Sequence, residues 1–170
     1  MKKLVLLIGL GIILLPNVSF AKLERAITTD PVDFINFRKI NVKYEQMLER
    51  KKSFTVELFY DNNFQNTMGI GIGGAYRWYF RPYMLKTVGV EGLSAAPYAR
   101  IGWYRKKPNP AQYDNQAGMD FGGEVAYKII LGGNFAIEPM IRMGYGIGGE
   151  VFANNKGFKP YPGVSIGYAW

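Results

Sequence analysis

From residue 40 onward the chain alternates apolar and polar side chains with a period of two, the pattern of β-strands whose two faces meet different surroundings. Reading back from the C-terminus, Pro162, Val164, Ile166, Tyr168 and Trp170 share one face, and Tyr161, Gly163, Ser165, Gly167 and Ala169 the other. Phe135, Ile137, Pro139, Ile141, Met143, Tyr145 and Ile147 oppose Ala136, Glu138, Met140, Arg142, Gly144 and Gly146. Phe121, Val125, Tyr127, Ile129 and Leu131 alternate with Asp120, Glu124, Ala126 and Lys128. Pro97, Ala99, Ile101 and Trp103 alternate with Tyr98, Arg100, Gly102 and Tyr104. Between 69 and 80, Ile70, Ile72, Tyr76, Trp78 and Phe80 oppose Gly69, Gly71, Gly73, Ala75, Arg77 and Tyr79. Phe54, Val56, Leu58 and Tyr60 oppose Thr55, Glu57 and Phe59, and Ile40, Val42 and Tyr44 oppose Asn41, Lys43 and Glu45.

These segments predict seven strands, most of them near the roughly nine to eleven residues that a tilted strand needs to cross a bilayer. The connections alternate in length. Residues 48–53 and 132–134 are short, whereas 61–67, 106–118 and 148–159 are longer, polar and rich in Asn, Gly and Lys. Residues 81–94 break the rule, being long where a tight turn is expected. Single-chain bacterial barrels have an even number of strands, so an eighth is expected before Phe37. Residues 23–29 are the candidate, ended by Asp30-Pro31, since proline sits at strand ends and bulges. A short plug or helical turn, with some other mode of closure, is the alternative.

The two faces differ in chemistry. The first is aromatic and branched apolar; the second holds Gly, Ala, Ser and the strand charges. A soluble ligand-binding barrel would place its charges outside, so the apolar face is expected to point outward into lipid. The cations of the polar face are Lys43, Arg77, Arg100, Lys128 and Arg142; its carboxylates are Glu45, Glu57, Asp120, Glu124 and Glu138. Five oppose five. An eight-stranded barrel has an interior just filled by side chains, and buried charge is tolerated there only when paired. Tyr44, Tyr60, Tyr76, Trp78, Phe80, Trp103, Tyr127, Tyr145, Tyr168 and Trp170 fall on the outward face, as interfacial aromatic girdles would.

The first residues read as an export signal: Lys2 and Lys3, an apolar run from Leu4 to Leu15, then Pro16 and Ser19-Phe20-Ala21. Residues 1–21 are therefore expected to be a cleaved signal peptide and residues 22–170 one barrel domain, exported to the cell outer membrane of a Gram-negative-type bacterium. With no Cys, neither a lipid anchor through Cys nor a disulfide is possible. The formal charge of the whole chain is +8; losing Lys2 and Lys3 leaves +6, which a neutral barrel interior confines to termini, turns and connections. In that compartment anionic lipid or lipopolysaccharide is the expected neighbour, and no nucleic acid.

The C-terminal run Val164-Ser165-Ile166-Gly167-Tyr168-Ala169-Trp170 resembles the terminal signature of outer-membrane barrels. That resemblance implies reading by the barrel-assembly machinery, with Tyr168 and Trp170 at its main positions. The segments 40–47, 76–80, 97–104 and 122–131 look like a family of small outer-membrane barrels of unassigned function, of OmpA/OmpX-type architecture. The likeness covers roughly residues 26–170 and implies an all-β, closed, antiparallel, up-and-down transmembrane barrel of eight strands.

Candidate chemistry is sparse. Gly69-Ile-Gly71-Ile-Gly73-Gly74 and Gly144-Tyr-Gly146-Ile-Gly148-Gly149 mimic a dinucleotide-binding turn, but that motif needs a helix after it, and the first of them leads into a strand pattern. Inward Gly here is expected to make room for long Arg and Tyr side chains from across the barrel. The chain has no His, so ordinary Ser-His or Cys-His activation is unavailable. Outer-membrane lipid A deacylases and palmitoyltransferases, similar in size, use His with Ser, and Ser165 has none to pair with. Glu45 and Glu57 could act as acid and base, but inside a balanced barrel they are expected to be structural. Arg105, Lys106 and Lys107 start the longest of the expected external loops and could meet lipopolysaccharide phosphates. No catalytic, cofactor or metal residue is assigned. The expected function is a monomeric, non-enzymatic outer-membrane barrel with a structural, surface-contact or adhesion-type role. A small-solute pore, a lipid-modifying enzyme and a soluble periplasmic barrel are the alternatives.

Overall fold

The computed structural model of the chain describes residues 23–63, 67–80, 89–109, 112–148 and 159–170. The expected signal peptide lies outside them. Eight strands form one closed barrel: β1 (Arg25–Thr29), β2 (Lys39–Glu49), β3 (Lys52–Asn63), β4 (Thr67–Phe80), β5 (Gly92–Asn109), β6 (Gln112–Leu131), β7 (Phe135–Gly148) and β8 (Lys159–Ala169). Each pairs antiparallel with the next, and β1 closes the sheet against β8 from Ala26↔Ala169 to Thr29↔Ile166. The expected count of eight is borne out. The strand expected before Phe37 is β1, and it is short because a helix, α1 (Pro31–Phe37), takes over where it stops. Asp30 caps that helix, its side chain accepting from the amides of Val32 and Asp33, with Pro31 at the first turn and Arg38 ending it in a left-handed conformation.

Leu23, where the described residues begin, Trp170, the 50–51 turn and the 132–134 turn lie at one end of the barrel, here the terminal end. The second turn takes positive φ at Gly132 and Gly133, which suits glycine. The connection from β4 to β5 has a use at this end. Its last part bridges Leu23 to Gly89, and the Val90 amide donates to Leu23 O at 2.8 Å. Val90 is fully buried in a cluster with Ala26, Tyr79 and Ala169.

The opposite end departs from expectation. Residues 106–109 and 112–118 are strand, not loop: β5 and β6 stay paired from Lys106↔Asp114 to Asn109↔Gln112, with a register shift between, and form a two-stranded ribbon past Thr67↔Lys106 and Gly118↔Gly148. The alternation vanishes there because a free ribbon has no buried face to impose it. The connection after β3 is also shorter than expected, spanning residues 64–66.

Side-chain direction follows the sequence pattern. Ile70 and Leu58 are exposed on the outside, 61% and 59%, while Arg77 inside is 2% exposed. Along β1 to β7 the outward face carries exposed Ile27, Ile40, Leu58, Ile72, Trp103, Val125 and Ile141. Three inward glycines serve neighbours on the adjacent strand rather than across the barrel. A Cβ at Gly69 would collide with the Tyr104 ring, at Gly71 with the Phe59 ring, and at Gly73 with Arg100. Each is the direct ladder partner. Gly144, by contrast, makes room for the Tyr98 hydroxyl two strands away.

Candidate functional site: the charged barrel interior

All ten charges of the polar face point into the lumen, because each sits at an inward position of its strand. At the centre, Arg77 on β4 reaches three carboxylates. Its Nη1 donates to Glu45 at 3.1 Å and to Glu138 at 2.8 Å, and its Nη2 to Glu138 at 2.9 Å and to Glu124 at 2.5 Å. Lys128 on β6 pairs with Glu45 and, at 2.8 Å, with Glu138. Ser53 and Tyr79 donate to the remaining Glu45 oxygen at 2.5 and 2.6 Å. This knot ties β2, β4, β6 and β7 together in the half nearer the terminal end.

A second layer lies toward the ribbon end. Arg142 bonds Glu124 at 2.5 Å and Glu57 at 3.3 Å, so Glu124 joins the two layers. Arg100 pairs with Asp120 at 2.5 Å, and the Tyr98 hydroxyl donates to the same carboxylate at 3.3 Å. The guanidinium groups of Arg100 and Arg142 both lie over the Tyr98 ring, at 5.5 and 5.6 Å from its centroid. Above them Phe59 and Tyr104 pack together, with Lys39 over the Phe59 ring at 5.0 Å. A small polar cavity is lined by Thr55, Glu57, Arg77, Tyr98, Arg100, Glu124 and Arg142, with Gly74 and Ala75. The buried atoms without a protein hydrogen-bond partner include Thr55 Oγ1, Glu57 Oε1, Arg77 Nε and Arg100 Nε, all from these lining residues. Such a cavity suits bound water.

Lys43 stands apart from this network. Its ammonium donates to Ser165 Oγ at 2.9 Å and approaches Met140 Sδ at 3.4 Å. Ser165 thus has a lysine partner that the sequence does not reveal, and it is fully buried. Glu45 and Glu57 are each held by cations rather than set facing a common reacting atom. Arg105 is exposed on the β5–β6 ribbon, where its Nε donates to Asn115 at 3.3 Å. The polar roles of Ser53, Tyr79, Tyr98 and Asn41 escape the sequence. Their inward parity was the available signal, but parity does not say which carboxylate each meets.

The interior can neutralise itself and brace the wall from within, while charge and hydroxyl groups fill its cross-section. No family model and no curated protein matches the chain. Among solved structures it is similar to the N-terminal β-barrel domain of Pseudomonas aeruginosa OprF, at 11% identity and a TM-score of 0.53, over 86% of this chain and 96% of that one. At that identity the likeness is one of fold.

Proposed function

We propose that this chain, an eight-stranded up-and-down barrel of the OmpA/OmpX-type architecture, is an integral outer-membrane protein that acts without catalysis, as a monomer, through what it presents at the ribbon end. One observation carries the reading: the inversion of sides. Arg77, Lys128 and Glu138 are buried inside, while Ile70, Leu58, Trp103 and Val125 are exposed outside. In water each such Leu or Ile forgoes about 1.5–3 kcal/mol of burial; against hydrocarbon that penalty vanishes. Closure supports the same reading, because a sheet can sit in lipid only with its backbone groups paired.

The ribbon of β5 and β6, with Arg105 exposed near its base, is the feature offered for contact with lipopolysaccharide or with other cells. A pore is less well supported, since Arg77 and its three carboxylates cross the lumen. An enzyme built on Ser165 needs a route to a side chain that is fully buried.

Fractionation combined with a heat-modifiability gel tests the reading. The folded chain is expected in the outer-membrane fraction and should migrate anomalously until boiled. Recovery from the aqueous phase without detergent would overturn it.

A further inference from the structure

The barrel wall changes character between β2 and β8. β1 pairs with β2 only from Arg25↔Gln46 to Thr28↔Lys43, and with β8 only as far as Thr29↔Ile166. β8 extends beyond that point to Lys159, paired there with β7. β2 likewise extends to Lys39, paired there with β3. Next to those two edges lies α1, which packs against β2, β3 and β8. The sequence carries a mark of this breach. Pro160 and Pro162 lie in the stretch of β8 beyond the last β1 partner, and proline belongs at strand edges because it lacks an N–H.

Side-chain bonds tie α1 to β2. The Asp30 amide donates to Asn41 Oδ1 at 2.9 Å, Asn41 Nδ2 donates to Asp33 at 3.1 Å, and Lys39 pairs with Asp33 at 3.4 Å. On the β8 side the helix cap lies over a glycine, and a Cβ on Gly163 would sit 2.5 Å from Asp30 Oδ2. Phe34 and Ile35 of the helix are 56% and 74% exposed. Ile40 on β2 starts an outward row that runs along the ladder through Tyr60, Ile70 and Trp103, and the helix packs on the strand where that row starts. At seven residues it is too short to be stable alone.

We propose that this breach is a lateral entry site for a membrane amphiphile. The hydrocarbon chain lies in the leaflet along Phe34 and Ile35. The polar end passes between β2 and β8 as α1 swings aside, meeting Asp30, Asn41, Lys43 and Ser165. Ser165 is the first lumen-facing residue of β8 beyond the last β1 partner. The inference rests on the membrane reading above.

The Cys-free chain makes a direct test available. Ser165→Cys and Ala136→Cys each place one thiol at a fully buried inward position, but Ala136 lies where β7 is laddered on both sides. Each variant is refolded into phospholipid vesicles. It is then treated with N-dodecylmaleimide, which dissolves in the bilayer, or with a sulfonated maleimide, which does not. Local opening at the breach is expected to make Ser165→Cys react with the dodecyl reagent at least about tenfold faster than Ala136→Cys. The sulfonated reagent should stay slow, and replacing residues 31–37 by a Gly-Ser linker should raise the dodecyl rate further.

Equal rates at the two positions, or equal reaction with both reagents, would overturn the lateral route in protein that shows the gel shift of a folded barrel. Failure to insert into vesicles would overturn the membrane reading instead. Should Ser165→Cys not fold, a photoactivatable fatty amphiphile on the unaltered chain is expected to label Asn41 or Lys43. Adducts confined to outward residues would count against entry.

Discussion

Arg77 and Glu138 meet across the lumen as a two-pronged pair, both guanidinium Nη atoms on both carboxylate oxygens, at 2.8 and 2.9 Å. One residue comes from β4 and the other from β7, so the pair spans the barrel rather than one ladder. A fork of this kind has fixed geometry, which a lysine ammonium cannot reproduce.

Removing Arg77 should therefore be costly. Arg77→Ala leaves Glu45, Glu124 and Glu138 buried with Lys128 and Arg142 as their remaining cations. Breaking a buried pair from one side costs about 3–5 kcal/mol, and Arg77→Lys should recover only part of it. Urea unfolding in lipid vesicles, read by the gel shift, measures both. A loss below about 1 kcal/mol, the worth of a surface pair, would show the knot to be solvated.

The outward face makes the opposite demand. Val125 sits mid-strand between Ala95 and Ile141, outside and exposed. Val125→Lys is expected to destabilise the bilayer-inserted barrel by about 2–4 kcal/mol, the cost of a cation near the midplane. The same change at Asn115 on the ribbon should be nearly neutral. Equal, small effects at both sites would place Val125 in water.

Gly69 offers a packing test with an internal rescue. Its added Cβ would meet only the Tyr104 ring among the nearest atoms, at 2.3 to 2.9 Å. Gly69→Ala should cost about 1–3 kcal/mol through overpacking. Combining it with Tyr104→Ala should recover part of that loss beyond the sum of the single effects. Gly71→Ala should not be rescued by trimming Phe59, because the carbonyl oxygen of Ile101 also stands 2.4 Å from the new Cβ.

Trp170 separates assembly from stability. Its backbone exchanges hydrogen bonds with Arg25 at 2.9 Å in both directions, which Trp170→Ala retains. Refolding of purified Trp170→Ala in detergent should be close to that of the unaltered chain. Its yield in the outer membrane should fall several-fold if the terminal aromatic is read during insertion. Parallel losses in both assays would make the ring merely structural.

The wall was legible wherever its two faces meet different media. Alternation located β2 to β8 and sorted Arg77 from Trp78 without coordinates. It failed where β6 runs past its last β7 partner, at Gly118, and pairs with β5 alone. It was also weak for β1, whose five residues are too few to establish a period. The helix that follows did leave a signal, since Asp30 before Pro31 is a capping residue ahead of a favoured first-turn proline. Inside, the equality of charges was readable, but the partnerships were not. Which carboxylate Arg77 reaches depends on the stagger between β4, β6 and β7, a property of closure rather than of any one segment.

That closure joins Ala26 to Ala169, so the contact completing the cylinder links residues far apart along the chain. Bringing such distant partners together costs chain entropy before any bond rewards it, and slows formation of the sheet. A nascent chain that has made β1 to β7 still exposes two open borders, each able to capture a neighbouring molecule. The cylinder therefore closes only after β8 has been made, and until that strand arrives the polypeptide must be kept from its own copies.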